Sequence, residues 1–260
     1  MTRLSVVIIT YNEEKNIARC MQSVTPVADE IIVLDSFSTD RTAAIVKKLG
    51  GLLHQRAFTG YGSQKNAAAD LASHDHILFL DADELLSEKL CENILREKNQ
   101  GFPQDGYLMN RLNNYCGQWI RHGSWYPDRK LRLAHRKKSA WSLDIVHESL
   151  VPHKDARIGL LTGDLLHYTY SNYDDHADKN NRYSRLSAQL LHERGKKVTW
   201  VKLVINPFWA FFSSYFLRAG FLDGYNGFII AVQVGHLTFL KYIKLRRLND
   251  QSRHPSSSLD

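Results

Sequence analysis

Short, uninterrupted apolar runs alternate with segments of helical period over the first hundred residues. Leu4 to Ile9 is rich in β-branched side chains and reads as a buried strand, a pattern repeated at Ile31–Leu34 and Ile77–Leu80. Ile17, Cys20, Met21 and Val24 recur at i, i+3, i+4 and i+7, which places them on one helix face, with Asn12 as the expected N-cap. Thr39 or Asp40 is expected to cap a second helix carrying Thr42, Ile45, Val46 and Leu49, closed by Gly50-Gly51. Residues 63–72 and a segment from Ser87 to about Gln100 predict two more helices. Apolar strands repeated in β-α-β units imply an α/β architecture, a mostly parallel sheet covered on both faces.

The pattern changes after residue 100. Residues 107–148 are crowded with aromatics and cations, among them Tyr107, Arg111, Trp119, Trp125, Arg132 and Trp141. Tyr183, Leu186 and Leu190 predict an amphipathic helix over about 174–194. Two apolar stretches without charge follow, 203–217 and 224–240. Both are shorter than the roughly 20 residues a spanning helix needs. Helices lying in a bilayer interface fit them better. The domains expected are therefore 1–195, with halves 1–100 and 101–195, a basic helical region at 196–248, and a disordered tail at 249–260.

Charge sharpens this division. The chain of 260 residues has a formal net charge of +7. Residues 1–195 contain 25 basic and 24 acidic side chains, whereas 196–260 contain 9 and 3. The excess therefore belongs to the C-terminal region, beside Phe208, Trp209, Phe211, Phe212, Tyr215 and Phe216. Aromatics beside clustered cations suit an anionic membrane surface. A buried helical hairpin is the competing reading. Cys20, Cys91 and Cys116 are widely spaced, which argues against a disulfide framework or a zinc site. The apolar run after Met1 is too short for a signal-peptide core. With no helix-turn-helix, RRM signature or zinc finger, nucleic acid is not the expected partner.

Candidate chemistry lies where strands end. Asn12-Glu13-Glu14, Asp35 with Asp40, and Asp81-Ala82-Asp83-Glu84 each follow an expected strand. Ligands of open parallel sheets bind beyond the carboxyl ends of the strands, so three such clusters converge on one crevice. In extended backbone Asp81 and Asp83 point the same way. Two carboxylates on one face suit a hard divalent cation such as Mg²⁺ or Mn²⁺, which can also clamp a diphosphate. The competing reading of the cluster is a helix cap or solvated turn. Lys65 follows a loop containing Gly60 and Gly62 and is a candidate phosphate or nucleobase contact.

Together, Thr10-Tyr11-Asn12-Glu13, Val33-Leu34-Asp35 through Asp40, and Leu80-Asp81-Ala82-Asp83-Glu84 resemble the family 2 glycosyltransferases. The second motif departs from the family at Phe37, where glycine is frequent. Asn110-Arg111, Trp125-Tyr126-Pro127-Asp128, Arg132-Leu133 and Val146-His147-Glu148 are similar to the branch containing lipopolysaccharide core β-1,4-glucosyltransferases. The resemblance implies a GT-A fold, Rossmann-like, with a nucleotide-sugar donor, UDP-glucose in this branch. Thr10, Tyr11, Asn12 and Glu13 would line the nucleotide pocket, and Asp35 would accept a hydrogen bond from the base. Asp81 would face ribose or metal, Asp83 would ligate the metal, and a late histidine, His167, is a further candidate ligand.

An inverting transfer needs one base to deprotonate the acceptor hydroxyl. Glu148 is the favoured candidate and Asp128 the second; for either, a salt bridge to a nearby arginine such as Arg129 or Arg132 is the competing role. The aromatics at 107–141 are candidates for sugar stacking, with ordinary packing accounting for about half of them. The expected activity is transfer of glucose to the inner-core heptose of lipopolysaccharide, at the cytoplasmic face of the inner membrane. Another cell-envelope glycan is the alternative acceptor. A non-catalytic membrane adaptor that retains a nucleotide-sugar fold is the alternative class. The oligomeric state is not legible in the chain.

Overall fold

A computed structural model describes residues 2–144 and 148–253. Val146 and His147 of the last motif lie outside the described residues, as do 254–260 of the expected tail. The chain forms two compact units. One comprises the described residues to Leu112 together with Asp128–Tyr168; the other comprises Asn113–Pro127 and the described residues from Thr169 onward. The boundaries expected at 100 and 195 are therefore not where the chain divides.

In chain order the elements begin with Leu4–Thr10 (β1), Ile17–Val24 (α1), Glu30–Asp35 (β2), Thr42–Lys48 (α2), Leu52–Gln55 (β3) and Tyr61–Asp70 (α3). His76–Asp81 (β4), Glu84–Leu86 (β5), Glu88–Asn99 (α4), Gly106–Tyr115 (β6), Gln118–Ile120 (β7) and Asp128–His135 (β8) follow. Ser139–Trp141 (β9), Leu150–Pro152 (β10), Ile158–Tyr170 (β11), Tyr173–Glu193 (α5), Trp200–Phe212 (α6) and Gly224–Arg253 (α7) complete the chain. The main sheet runs β3-β2-β1-β4-β8-β6-β11-β5, with β7 paired to β6, while β9 and β10 form a separate ladder.

β1 to β4 are mutually parallel, as the apolar runs imply. Beyond β4 the sheet gains antiparallel pairs, so the sheet as a whole is mixed. β4 with β8, β8 with β6, and β11 with β5 are all antiparallel. Their sequences carry polar and charged side chains between apolar ones, so hydrophobic runs alone do not reveal them.

Period-two alternation divides β1 between two cores. Leu4, Val6 and Ile8 pack with Ile17, Met21, Leu90 and Ile94 on one face, whereas Val7 and Ile9 pack with Ala68, Phe79 and Trp141 on the other. Ser87 caps α4 as expected, accepting from the Leu90 amide at 3.3 Å. Asn12 is not a cap: α1 starts at Ile17, and Asn12 holds a left-handed backbone, φ 54°. Its side chain accepts instead from the Thr39 amide at 2.8 Å, tying the loop after β1 to the loop after β2. α2 starts at Thr42 with Arg41 at the cap position, one residue after Asp40, which accepts from the Thr42 amide at 2.9 Å.

In the second unit α7 packs along both α5 and α6. The face of α5 that is buried carries His176, Asn180, Ser184 and Ala188, while Tyr183, Leu186 and Leu190 are only half-buried. Small and polar side chains let α7 approach and supply hydrogen bonds to it, which displaces the expected apolar stripe to the flanks. The stretch read as ending at 240 continues as one helix to Arg253, so Asn249–Arg253 of the expected tail are helical.

Gly62 fixes the seat of α3. A Cβ at this position would stand 1.9 Å from the Ser142 carbonyl oxygen, a backbone atom that cannot swing away. Gly62→Ala is expected to destabilise the protein by about 2 kcal/mol or more, lowering Tm by roughly 4–8 °C in a thermal melt.

Candidate active site

Strand register brings the acidic motifs level. Thr10 pairs with Asp35, and Ile9 with Asp81, so three strands end side by side. Asp35 is fully buried and accepts from the Ser38 amide at 2.9 Å, the Ser38 hydroxyl, and Gln55 Nε2 at 3.1 Å. Phe37, where glycine is frequent in the resembling family, adopts φ 61°. The turn thus keeps a conformation that glycine enters freely, and the substitution has not displaced Asp35. Glu13 is half-buried and accepts from Asn16 at 2.6 Å. Burial raises its carboxyl above the ordinary value; the Asn16 hydrogen bond opposes this, and the Asp83 charge adds to it. Tyr11 is exposed.

The Asp81/Asp83 pair does not share a direction. Ala82 and Asp83 form a turn between β4 and β5, so the extended geometry expected of the motif is absent. Asp81 faces two buried cations: Lys65 Nζ stands 2.9 Å from one oxygen and Arg132 Nη2 3.0 Å from the other. Burial alone would raise the Asp81 carboxyl, but Lys65 and Arg132 outweigh it and hold it well below the usual carboxylate range. Asp83 turns instead to His167, whose Nε2 lies 3.2 Å away. The antiparallel pairing of β11 with β5 sets His167 opposite Glu84 and closes this distance of 84 residues in sequence.

Lys65 and Arg132 belong to a longer chain of alternating charge. Lys65 also reaches Glu148 at 3.5 Å and lies 4.3 Å from the centre of the Trp141 ring. Arg132 donates to Glu84 at 2.7 Å, and Glu84 is entirely buried. Arg111 stands 3.5 Å from Glu84 and holds Asp128 at 2.8 and 3.0 Å. Lys130 binds the second Asp128 oxygen at 3.0 Å. The two candidate bases therefore terminate one ionic chain, Glu148–Lys65–Asp81–Arg132–Glu84–Arg111–Asp128. Arg129 and Arg132, the partners considered for them from sequence, are not the ones that hold them. Both Asp128 oxygens carry cations, whereas among the described residues Glu148 has one long contact, to Lys65.

Glu84 and Arg132 are the residues that sequence reasoning underweighted. A signal was present: Arg132 interrupts Leu131-Arg132-Leu133-Ala134, and a cation in an apolar strand requires a buried anion. Of the aromatics, Tyr107 and Trp141 are core residues of the first unit. Tyr115, Trp125, Tyr170 and His176 pack together in the second. His176 accordingly has its pKa depressed to about 4, chiefly by burial.

Among the described residues several buried polar atoms have no hydrogen-bond partner, including Thr10 Oγ1 at the end of β1, Gln64 Oε1, Arg132 Nε and Trp141 Nε1. Orphaned groups of this kind are ones a bound polar ligand satisfies. Asp83 and His167 offer a carboxylate and an imidazole to a divalent ion. Among the described residues no group of three or more His, Cys, Asp or Glu side chains could hold one. The pair fits a metal whose remaining ligands come from a diphosphate and water.

Residues 5–155 match the family described as Glycosyl transferase family 2. An uncharacterized glycosyltransferase of Rickettsia typhi is 34% identical over 271 residues, covering 99% of this chain and 91% of the relative. The lipopolysaccharide core biosynthesis glycosyltransferase LpsC of Rhizobium meliloti is 31% identical, covering 97% and 95%. A mannosyltransferase from Pyrobaculum calidifontis, solved with GDP-Man and Mn²⁺, shares the fold with a TM-score of 0.57 at 14% identity, covering 94% of this chain and 86% of that one. The chain belongs to glycosyl transferase family 2 and has the GT-A fold.

Arg132→Met would leave Glu84 buried without its nearest cation, and a loss of about 3–5 kcal/mol is expected in denaturant unfolding. The depressed Asp81 pKa gives a signed pH effect. Its pairing stabilises the fold above the ordinary carboxylate pKa of about 3.9 and is lost only as pH falls toward the lower folded value. Lys65→Met raises that folded value, so the acid limb of a pH–stability profile is expected to move upward.

Proposed function

We propose that this glycosyltransferase transfers glucose from UDP-glucose, with inversion, to the inner-core heptose of lipopolysaccharide. The observation that carries a transferase site is the convergence of Asp35, Asp81, Asp83 and His167 at the carboxyl ends of β1, β2 and β4. The lipopolysaccharide acceptor is supported by the likeness to LpsC across nearly the whole chain and by the motifs at 110–148. The same chemistry on another cell-envelope glycan is the second reading, because members of the branch share these motifs while using different acceptors. An adaptor has no use for a buried ionic chain that ends on a carboxylate. The peripheral, cytoplasmic-face location belongs to the same proposal and is supported by the basic, aromatic C-terminal region.

In this reading Thr10, Tyr11, Asn12 and Glu13 line the nucleotide pocket and the buried Asp35 accepts from the base. Thr10 Oγ1, orphaned at present, gains a partner when the nucleotide binds. Asp83 and His167 would hold a Mg²⁺ or Mn²⁺ ion, which when bound would offset the charge that develops on the departing diphosphate. Asp81 is paired with Lys65 and Arg132, with His167 near enough to act on it too; it fixes the two cations and the start of the turn that presents Asp83. Its own amide donates to Glu84 at 3.1 Å, which ties the turn to the ionic chain.

Glu148 is the base. It takes the proton of the acceptor hydroxyl as that oxygen attacks the anomeric carbon and the bond to UDP breaks. Lys65 orients it through a 3.5 Å contact to one oxygen. Asp128, clamped by Arg111 and Lys130, is the structural end of the chain.

A UDP-release assay with a panel of sugar donors and heptose-terminated acceptors tests this directly. Glu148→Gln is expected to lower kcat by about 10²–10⁴-fold with little change in donor KM. Intact turnover in Glu148→Gln with none in Asp128→Asn would reverse the assignment. Asp83→Ala is expected to abolish the thermal stabilisation given by Mn²⁺ plus UDP, and equal turnover by that variant would remove the metal assignment.

A further inference from the structure

The second unit contains a surface that water solvates poorly. On α6, Trp200, Val201, Val204, Ile205, Phe208 and Trp209 are all exposed, Trp200 and Phe208 by 70% and 67%. Their spacing of one, three and four residues places them on one side of the helix. The stripe continues beyond α6 through Phe216, Leu217, Phe221, Leu222 and Tyr225. Contiguous apolar exposure on this scale marks an interaction site.

The charge around it is of one sign. From Lys196 to Leu222 the sequence has four cations, Lys196, Lys197, Lys202 and Arg218, and no acidic residue. All four cations are exposed. An apolar, tryptophan-bearing face edged by lysines complements an anionic lipid surface, with the rings at the level of the headgroups.

By length and composition, α7 rather than α6 qualifies as a membrane span, over Gly220–Ser252. Its neighbour excludes that use. α5 lies along α7 and carries Asp174, Asp175, Asp178, Lys179, Arg182, Arg185 and Glu193. Polar bonds join the two helices from end to end. Tyr173 meets Asn226 at 3.1 Å, Asn180 meets Gln233 at 2.9 Å, Lys244 meets Ser184 at 2.7 Å and His192 meets Asn249 at 2.7 Å. Although only 22% of its apolar window is buried, a helix bonded along its length to so charged a partner is ill suited to cross hydrocarbon.

We propose that α6 lies in the plane of an anionic bilayer, its exposed face sunk to the acyl boundary, while α7 and α5 stay on the aqueous side as its support. This deepens, and rests on, the reading of the enzyme as peripherally membrane-attached. The occupant of the face is lipid; a second copy of the chain is an outcome the test must eliminate.

The full-length protein is floated with vesicles of phosphatidylcholine alone and with added phosphatidylglycerol, each also prepared with bromine-labelled acyl chains. Flotation with the anionic vesicles, bromine quenching of tryptophan fluorescence, and release at alkaline pH are expected. Quenching should largely disappear in Trp200→Phe/Trp209→Phe, a conservative pair whose folding is checked by its thermal melt. Lys196→Gln/Lys197→Gln/Lys202→Gln should weaken partitioning on the order of a hundredfold. Flotation with quenching unchanged in the double variant would overturn the assignment of this face and leave peripheral attachment standing. Absence of flotation on either vesicle would remove attachment itself. Resistance to alkaline release would place α7 across the bilayer, and a dimer whose Trp200 and Trp209 are shielded without lipid would give the face to a second copy; either overturns the proposal. Turnover on a water-soluble acceptor, unchanged in these variants, keeps all of these outcomes separate from the catalytic reading.

Discussion

The Arg132–Glu84 pair is the constraint around which the catalytic unit is arranged. Both side chains are buried, and at 2.7 Å each supplies what the other needs in a medium that solvates charge poorly. Neither could be there alone. Arg132 comes from an antiparallel strand entered after residue 127, and Glu84 from the short strand that follows the acidic turn. Their pairing obliges β8 and β5 to adopt fixed positions about β4. Lys65 extends the requirement to α3, which Gly62 allows to lie against the Ser142 backbone.

The same chain organises the chemistry. Asp81 satisfies two cations and is held ionised by them, so the two aspartates of the motif play different parts. Asp83, left outside the chain by the turn, meets His167 across the β5–β11 pairing. The chain also treats its two ends unequally. Three close contacts clamp Asp128, while among the described residues Glu148 rests on one longer contact beside a lysine that sits over Trp141. The proposed mechanism places the base at that looser end.

The second unit separates its functions by helix face. α5 meets α7 through hydrogen bonds involving Tyr173, Asn180, Ser184 and His192. α6 does the reverse and keeps large apolar groups outward. A test of helix length and apolarity does not register this difference, because it passes the long α7 and leaves out the shorter α6. The distribution of polar partners around α7 gives the opposite answer.

Much of the donor half was legible in the chain: apolar runs gave β1, β2 and β4, and carboxylates just beyond them marked Asp35, Asp81 and Asp83. These are local properties, set by side-chain period and by the strand ends that any parallel sheet exposes. The antiparallel half was not legible, since β6, β8 and β11 mix polar with apolar residues and their partners lie far along the sequence. For the same reason Asn12 was mistaken for a cap, when it latches one loop to another. The divergence of Asp81 from Asp83, the pairing of Asp83 with His167 and the ionic chain from Glu148 to Asp128 were decided only by tertiary structure. A buried charge in a sequence states that it needs a partner; which partner it finds depends on which strands the fold sets side by side.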